Sequence, residues 1–393
     1  MSENLLFPTS VVGSIPRPAY VLDLIGRDDG DDIASDERGR LMDAAVRSVV
    51  AMQECAGLDV VTDGEWRRKS YIGVIAELAH GFELSRNPAD GRPWTIVVDR
   101  LAPKQPGFIA REVAFLKTIT DRRIKATLPA PGLLGERMWD ANRSARAYPT
   151  RDAFVRDCVP VLRREVELLR DQGVAIVQID DPHLCLFVDP EVRRRYDDPD
   201  AAAHFAVDMV NETVEGIEGV RTAVHLCRRA GARCRGEADH RGGYEAIIEQ
   251  LNRLAVDHLT MEFASPGAGD MRVFEMLDER FEIGLGCVAC QPGVVDSVDD
   301  IVARVELALR HVAPERITLN PDCGFAPGSA AVVNIDDEYG RRLAASIDVP
   351  LWTHSTRDPR ADVYADTIRC DLHGTTFTVH TPAGSAPVRL SLL

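Results

Sequence analysis

Four residues of types that bind transition metals follow three apolar stretches in the second half of the chain. His225 and Cys227 stand two positions apart at the end of a β-like run, so both side chains lie on one face of an extended strand. Glu262 ends a second such run, and Cys323 follows a third. One nitrogen, one oxygen and two sulfur donors form a mixture that suits tetrahedral Zn²⁺. The pattern predicts a zinc site if the three strand ends converge.

Each of these residues also has an ordinary structural interpretation. A single histidine at a strand end is often only hydrogen-bonded, and a buried cysteine often packs as a small apolar residue. Glu262 is harder to explain in this way, because a carboxylate on an apolar strand costs free energy unless it is paired. Cys287 and Cys290 form a competing C-x-x-C pair, which we interpret as mainly structural because no second pair exists. Cys234, in an arginine-rich segment, is left as an adventitious ligand.

The elements that must position these residues alternate between strand and helix along the chain. Eight strand-like stretches are separated by helices or by helix-sized connections. They lie at 9–13, 58–62, 123–127, 174–180, 221–225, 258–262, 281–286 and 317–320. Eight such repeats predict an α/β protein of the (β/α)₈ barrel type. An open doubly wound sheet is the alternative, and the lack of a glycine-rich phosphate motif after any strand weighs against it.

In a barrel, the carboxyl ends of the strands face one pocket. Polar residues stand at most of these ends, and we expect their side chains to share that pocket. They are Ser14, Glu65, Asp180, Asp181, His225, Cys227, Glu262 and Cys323. Chance would scatter such groups over surface loops, so their positions favour a functional site at the mouth of the barrel.

The chain departs from a plain barrel in two places. Residues 72–117 form a long connection after the second strand, which we interpret as a functional insertion that contains a strand at Thr95–Asp99. The barrel is predicted to span residues 1–347, with residues 335–347 as its eighth helix. Residues 348–393 are predicted to form a β-rich C-terminal extension of atypical kind.

The composition limits the class of protein. With 393 residues, 45% of them hydrophobic and 27% charged, the sequence is typical of a soluble globular protein with a sizeable core. Its formal net charge of -16 argues against nucleic acid or an anionic membrane as a partner. We also expect no transmembrane helix and no secretory signal. Nine cysteines without a disulfide pattern favour the reducing cytoplasm.

Six segments resemble, in order and spacing, the cobalamin-independent methionine synthase superfamily over residues 5–335. They are Val11–Pro18, Asp63–Arg68, Gln178–Pro182, His225–Cys227, Glu262 and Asn320–Gly324. The resemblance implies a (β/α)₈ barrel in which His225, Cys227, Glu262 and Cys323 hold a catalytic Zn²⁺ cofactor. Zinc would bind a substrate thiol as its thiolate, which attacks an electrophilic carbon.

The resemblance also assigns the substrate residues. Ser14 and the backbone around Gly13 would bind an amino acid, and Glu65 and Asp180 would hold its ammonium group by charge-assisted hydrogen bonds. The implied activity is methionine synthesis, as in 5-methyltetrahydropteroyltriglutamate–homocysteine S-methyltransferase. The partners are therefore a small thiol, homocysteine, and a methyl donor; we expect no nucleic-acid or membrane partner, and a homo-oligomer is compatible with the sequence.

Three features set this chain apart from the family. Full-length methionine synthases contain two barrels, whereas this chain has room for one, as in the epoxyalkane:coenzyme M transferases, where a zinc thiolate opens an epoxide. Folate-using members carry a histidine where this chain reads Val288–Pro292. Arg228 follows the ligand pair and suits a sulfonate or carboxylate, which favours a coenzyme M-like thiol. Its alternative is a solvated basic loop shared with Arg229, Arg233 and Arg235.

Two further alternatives concern the whole chain. A barrel that zinc only stabilises, without catalysis, would have a closed site with four protein ligands. The segment after about residue 331 resembles a fragment of a Mur peptide ligase. No P-loop is present in the sequence, so ligase activity does not follow from that resemblance.

Overall fold

The computed structural model describes residues 6–26, 35–86, 93–228, 240–265, 267–290, 294–325, 331–336, 338–345, 351–371, 374–382 and 384–390. The chain divides into two compact units. The first comprises Met1–Cys290 and Asp296–Phe325, and the second comprises Gln291–Val295 and Ala326–Leu393.

The first unit is built around a parallel sheet. Its strands are β1 (Val60–Val61), β2 (Ala79–Arg86), β3 (Pro93–Pro103), β4 (Arg123–Pro129), β5 (Ile176–Asp180), β6 (Arg221–Leu226), β7 (His258–Glu262), β8 (Glu282–Val288) and β9 (Ile317–Pro321). Seven of these strands pair in the order β1-β4-β5-β6-β7-β8-β9, and each pairing is parallel. The strands β5 and β7 are buried along their whole length, as expected when both faces of a parallel sheet are covered.

Two residues near the start of the chain close this sheet into a ring. Thr9 bridges Leu319 of β9, and Ser10 bridges Val60 of β1, both in parallel. The strand predicted at 9–13 consists of these two bridges, and the Thr9 amide donates to the Asp59 carboxylate at 2.8 Å. The predicted (β/α)₈ barrel is thereby confirmed, and the closed ring excludes the open doubly wound sheet.

Helices bury apolar faces against the strands. In the first unit they are Ala19–Gly26, Ser35–Cys55, Ile75–Leu78, Phe108–Leu116, Pro131–Met138, Arg151–Asp171, Pro182–Leu186, Pro190–Arg193, Pro199–Val214, Ile248–Arg253 and Val298–Ala308, with 3₁₀ turns at Tyr244–Ile247, Met271–Glu275 and Pro314–Arg316. Thr150 caps one long helix by accepting from the Ala153 amide, and Ser297 forms a capping box with Asp300. No helix in the described part of the chain is long and apolar enough to cross a membrane.

The predicted insertion after the second barrel strand is an antiparallel hairpin of β2 and β3. It contains the strand expected at Thr95–Asp99. The side chain of Ser144 donates to the Val97 carbonyl at 2.6 Å, and the Leu101 amide donates to the Tyr148 hydroxyl at 2.8 Å. These bonds fix the hairpin to the segment that follows Pro131–Met138.

The second unit contains a five-stranded sheet of β10 (Ala331–Asn334), β11 (Leu351–Ser355), β12 (Val363–Asp371), β13 (Gly374–Thr381) and β14 (Gly384–Leu390) in that order. A helix, Glu338–Ala345, lies between its first two strands in sequence. The division by contacts falls at Phe325, before the predicted boundary at residue 347, because β10 pairs in parallel with β11. The domain boundary itself stays a prediction.

The interior of the barrel is polar near His258 on β7. A Cβ at Gly284 of β8 would lie 2.6 Å from His258 Cε1 and 2.7 Å from Asn320 Nδ2, so glycine is required for this close packing. Burial, together with the nearby cations Lys125 and Arg221, lowers the pKa of His258 to about 3. His258 is therefore neutral in the folded barrel over the physiological pH range.

This pKa predicts an acid-sensitive core. Between pH 6.5 and about 3 the unfolded chain binds a proton at His258 that the folded chain does not, so stability falls as the pH drops through that window. Replacing His258 with Gln should reduce the loss of unfolding free energy between pH 7.5 and 5 by about 2 kcal/mol, as urea titrations would measure. The exposed His80→Gln variant is the control, and an equal pH dependence in all three proteins would contradict the assignment.

Candidate metal centre and active site

Three of the predicted ligands meet at the mouth of the barrel. His225 and Cys227 lie at the carboxyl end of β6, and Cys323 follows β9 directly. One ligand atom from each residue lies within 4.8 Å of the other two. The two sulfur atoms are 2.9 Å apart. The strand ends therefore converge as the barrel requires, and this nitrogen–sulfur–sulfur set could hold a metal ion.

The imidazole of His225 is oriented by a chain of hydrogen bonds. Its Nδ1 donates to the carboxylate of Asp180 at 3.1 Å, across the pairing of β5 and β6. Gln178 donates to the same carboxylate oxygen at 2.8 Å and to the Val12 carbonyl at 3.0 Å. Nε2 of His225 is buried and has no hydrogen-bond partner within the described residues. A histidine that binds a metal usually has its ring fixed in this way, by a carboxylate at the other ring nitrogen. The position of Nε2 beside two thiols is therefore suitable for a metal ligand.

The titration of the metal-free cluster follows from these contacts. Burial lowers the pKa of His225, but the Asp180 hydrogen bond and the adjacent Cys227 outweigh burial and raise this pKa to about 10. The hydrogen bond with Cys323 lowers the pKa of Cys227 to about 5, and His225 adds to the effect. The same hydrogen bond raises the pKa of Cys323. The cluster thus holds a thiolate at neutral pH, and a thiolate is the form of cysteine that binds metals.

Glu262, the fourth predicted ligand, lies beside this set but outside the group within 4.8 Å. It is fully buried at the end of β7. Its carboxylate accepts from the backbone amide of Arg228 at 2.9 Å and from the Ser265 hydroxyl at 2.5 Å. The sequence analysis predicted that a carboxylate at this position would need a partner, and these two hydrogen bonds provide it.

The predicted substrate residues of the first two repeats lie together. The carboxylate of Glu65 accepts hydrogen bonds from the Ser14 hydroxyl and, at 2.6 Å, from the Thr127 hydroxyl. A Cβ at Gly13 would lie 3.1 Å from the same carboxylate, which explains a glycine there. Glu65 has a φ of 59°, a conformation that costs free energy for a non-glycine residue and is often found at functional sites.

The substrate residues and the ligand cluster are neighbours. A Cβ at Gly324, next to Cys323, would lie 3.1 Å from Cβ of Ser14. Burial raises the pKa of Tyr71, and the charges of Cys227 and Asp180 raise it further, which places this phenol beside the cluster. The sequence analysis did not identify Tyr71; its only signal was its place in the loop after the second strand.

Asp180 and Arg228 have contacts that their predicted substrate roles did not anticipate. The carboxylate of Asp180 faces His225, as described above. The guanidinium of Arg228 is fully buried, donates to the carbonyls of Gly267 and Ala268, and lies 5.0 Å from the ring centre of Tyr244. The predicted basic neighbours Arg229, Arg233 and Arg235, and also Cys234, lie outside the described residues.

The C-x-x-C pair has two different environments. The thiol of Cys287 donates to the Asn320 carbonyl at 3.7 Å, in keeping with the predicted structural role. The thiol of Cys290 is hydrogen-bonded to Cys323. The spacing of the two cysteines gave no indication of this difference.

Comparison with known proteins identifies the family. The family model described as "Cobalamin-independent synthase, Catalytic domain" matches residues 7–334. The chain belongs to this family. With that membership it is an enzyme that transfers a methyl group to a thiol, as the sequence predicted. It is 26% identical to a methionine synthase of Sulfolobus acidocaldarius over 83% of this chain and 88% of the relative. It is 28% identical to a methionine synthase of Pyrococcus horikoshii over 82% of this chain and 87% of the relative.

Solved structures agree on the fold of this methionine synthase-type barrel. A B12-independent methionine synthase from Shewanella sp. W3-18-1, in complex with selenomethionine, superimposes with a TM-score of 0.67 and 20% identity over 86% of this chain and 94% of that chain. A protein from Listeria monocytogenes, titled a putative vitamin-B12 independent methionine synthase, gives a TM-score of 0.62 and 22% identity over 82% and 93%. The family match confirms the predicted superfamily, and these structures agree with it in fold.

The hydrogen bond between Asp180 and His225 predicts how the metal centre responds to mutation. Asp180→Asn removes the acceptor that fixes the imidazole, so the metal dissociation constant should rise about 10- to 100-fold. Competition with a chromophoric chelator measures this constant. Asp171→Asn, which removes an exposed carboxylate paired with Arg170, should leave it unchanged. Equal affinity in the Asp180 variant and the wild type would contradict the positioning role.

Proposed function

We propose that the protein makes methionine by transferring a methyl group to the thiol of homocysteine, with Zn²⁺ held by His225, Cys227 and Cys323. The observation that carries this proposal is the buried, unpartnered Nε2 of His225 beside two cysteine sulfurs. A nitrogen and two thiolates suit zinc better than magnesium or calcium, which prefer oxygen ligands. Glu262 is the carboxylate donor in this proposal.

Zinc supplies one chemical effect when bound: it keeps a substrate thiol ionised at neutral pH. The residues around the zinc orient its ligands. Asp180 holds the Nδ1 proton of His225, so Nε2 is the ring atom that would bind the metal after releasing its own proton. Gln178 holds Asp180 in turn. The two side chains therefore determine where the substrate sulfur can be held.

The amino-acid end of homocysteine would lie against Gly13, Ser14 and Glu65. The carboxylate of Glu65 is pre-oriented by Ser14 and Thr127 and can accept from an ammonium group. Gly13 lies close beside that carboxylate, because a Cβ there would come within 3.1 Å of it. Because Gly324 packs against Ser14, the ammonium site and the Cys323 ligand are adjacent, as a small amino-acid thiol requires.

The reaction is a displacement at carbon. A lone pair of the substrate sulfur forms the new sulfur–carbon bond, while the bond from the methyl carbon to its donor breaks and its electron pair stays with the donor. Tyr71 lies close enough to the cluster to border this space. Folate-using relatives were expected to carry a histidine where this chain reads Val288–Pro292. Gln291 and Pro292 of that stretch lie outside the described residues, so the proposal leaves the donor as an activated methyl compound.

The contacts of Arg228 favour homocysteine over a sulfonated thiol. Its guanidinium donates to two backbone carbonyls of the chain, so it does not present a cation to a coenzyme M-like substrate. The sequence-based argument for an epoxyalkane:coenzyme M transferase depended on that cation. We further propose the cytoplasm as the location, because a reducing compartment keeps Cys227 and Cys323 from forming a disulfide.

The proposal predicts about one zinc per chain in the purified protein, by metal analysis. Replacing Cys227 and Cys323 together with Ser should abolish the bound zinc, whereas Cys55→Ser, at an exposed cysteine, should retain it. Homocysteine should bind the zinc-loaded wild type in calorimetric titrations and should not bind the double variant. Zinc retained by the double variant, or binding of coenzyme M in place of homocysteine, would contradict the proposal.

A further inference from the structure

Arg68 is a buried cation behind Glu65, the carboxylate that would receive the ammonium group of the substrate. It follows Glu65 by three residues, and its amide donates to the Glu65 carbonyl at 3.1 Å. The side chain of Arg68 is 3% exposed, and its Nη1 lies 3.7 Å from Oε1 of Glu65. Because the chain encloses this guanidinium, any effect of Arg68 on a substrate must pass through another residue.

Glu112 and Thr127 hold the guanidinium in place. Nε and Nη2 of Arg68 donate to Oε2 of Glu112, on the helix Phe108–Leu116, at 3.1 and 2.9 Å. Nη1 donates to the carbonyl of Thr127, on β4, at 2.9 Å and to its hydroxyl at 3.0 Å. A guanidinium is a planar donor that accepts no hydrogen bond, so these contacts fix both its position and the direction of each bond.

The hydroxyl of Thr127 connects this guanidinium to Glu65. A hydroxyl has one proton, and the oxygen of Thr127 already accepts from Arg68. Its proton is therefore donated to Oε1 of Glu65, 2.6 Å away. Each bond in the series from Arg68 through Thr127 to Glu65 polarises the next, and the series begins at a full positive charge. With Ser14 donating to Oε2, both oxygens of the carboxylate are held in one orientation.

We propose that Arg68 is a positioning residue for the ammonium group of homocysteine, because it orients the carboxylate of Glu65 through the hydroxyl of Thr127. The inference rests on the proposed function, since it presupposes that Glu65 receives this ammonium group. Without the donors of Arg68 the Thr127 hydroxyl is free to turn away, and Glu65 loses its fixed direction. The structural alternative is an ion pair that only attaches the helix Phe108–Leu116 to this loop, and its loss would weaken the binding of every thiol equally.

The test compares homocysteine with 4-sulfanylbutanoate, the same thiol without its amino group, in calorimetric titrations of the zinc-loaded full-length protein. Arg68→Lys keeps the charge but loses the planar set of donors. It should weaken the binding of homocysteine about 10- to 100-fold, as expected for the loss of a charge-assisted hydrogen bond, and should leave the binding of 4-sulfanylbutanoate unchanged. Arg67→Lys is the matched control, because the neighbouring Arg67 pairs with the partly exposed Asp43 instead, and it should bind both thiols as the wild type does.

Two variants of Thr127 decide the question if Arg68→Lys does not fold. Thr127→Val removes the connecting hydroxyl and should show the same selective loss, whereas Thr127→Ser keeps a hydroxyl and should recover most of the preference for homocysteine. A folded Arg68→Lys or Thr127→Val variant that keeps the wild-type preference, or an equal weakening for both thiols, overturns the inference. A wild type that binds neither thiol, or that binds both equally, would instead contradict the proposed function, so the two failures are distinguishable.

Discussion

The hydrogen bond from His225 to Asp180 is the interaction on which the site depends. It joins two neighbouring strands at their carboxyl ends, where the parallel register places Asp180 opposite His225. Without this acceptor the imidazole would be free to rotate, and its Nε2 would lose its fixed direction toward Cys227 and Cys323. Gln178 links the pair to the Val12 carbonyl, so the orientation of one ligand depends on β5, β6 and the segment that follows Ser10.

At the substrate end of the site, the backbone conformation and the hydrogen bonds of Glu65 fix the position of its side chain. Glu65 has the positive φ of a left-handed residue, and its amide donates to the Asp63 carboxylate at 2.9 Å. Its own carboxylate is fixed by Ser14 and Thr127. The backbone is therefore strained at Glu65, the residue whose carboxylate must point toward the substrate. Hydrogen bonds from its amide and to its carboxylate offset that strain. A pre-oriented carboxylate loses little entropy when an ammonium group binds.

Much of the barrel could be predicted because its repeats are periodic and its strand ends converge by geometry. The same geometry brought His225, Cys227 and Cys323 together from positions almost 100 residues apart. Side-chain direction could not be predicted in this way. The contacts of Arg228 with Gly267 and Ala268, and of Cys290 with Cys323, depend on loops whose course has no periodic signal.

The central claim is that the substrate's sulfur binds the metal in the cluster of His225, Cys227 and Cys323. Zinc-edge X-ray absorption with selenohomocysteine in place of homocysteine tests it directly, because selenium scatters far more strongly than sulfur. The account predicts one selenium neighbour in the first shell of zinc, absent when methionine is added instead. A zinc shell that stays unchanged while selenohomocysteine is bound would contradict it.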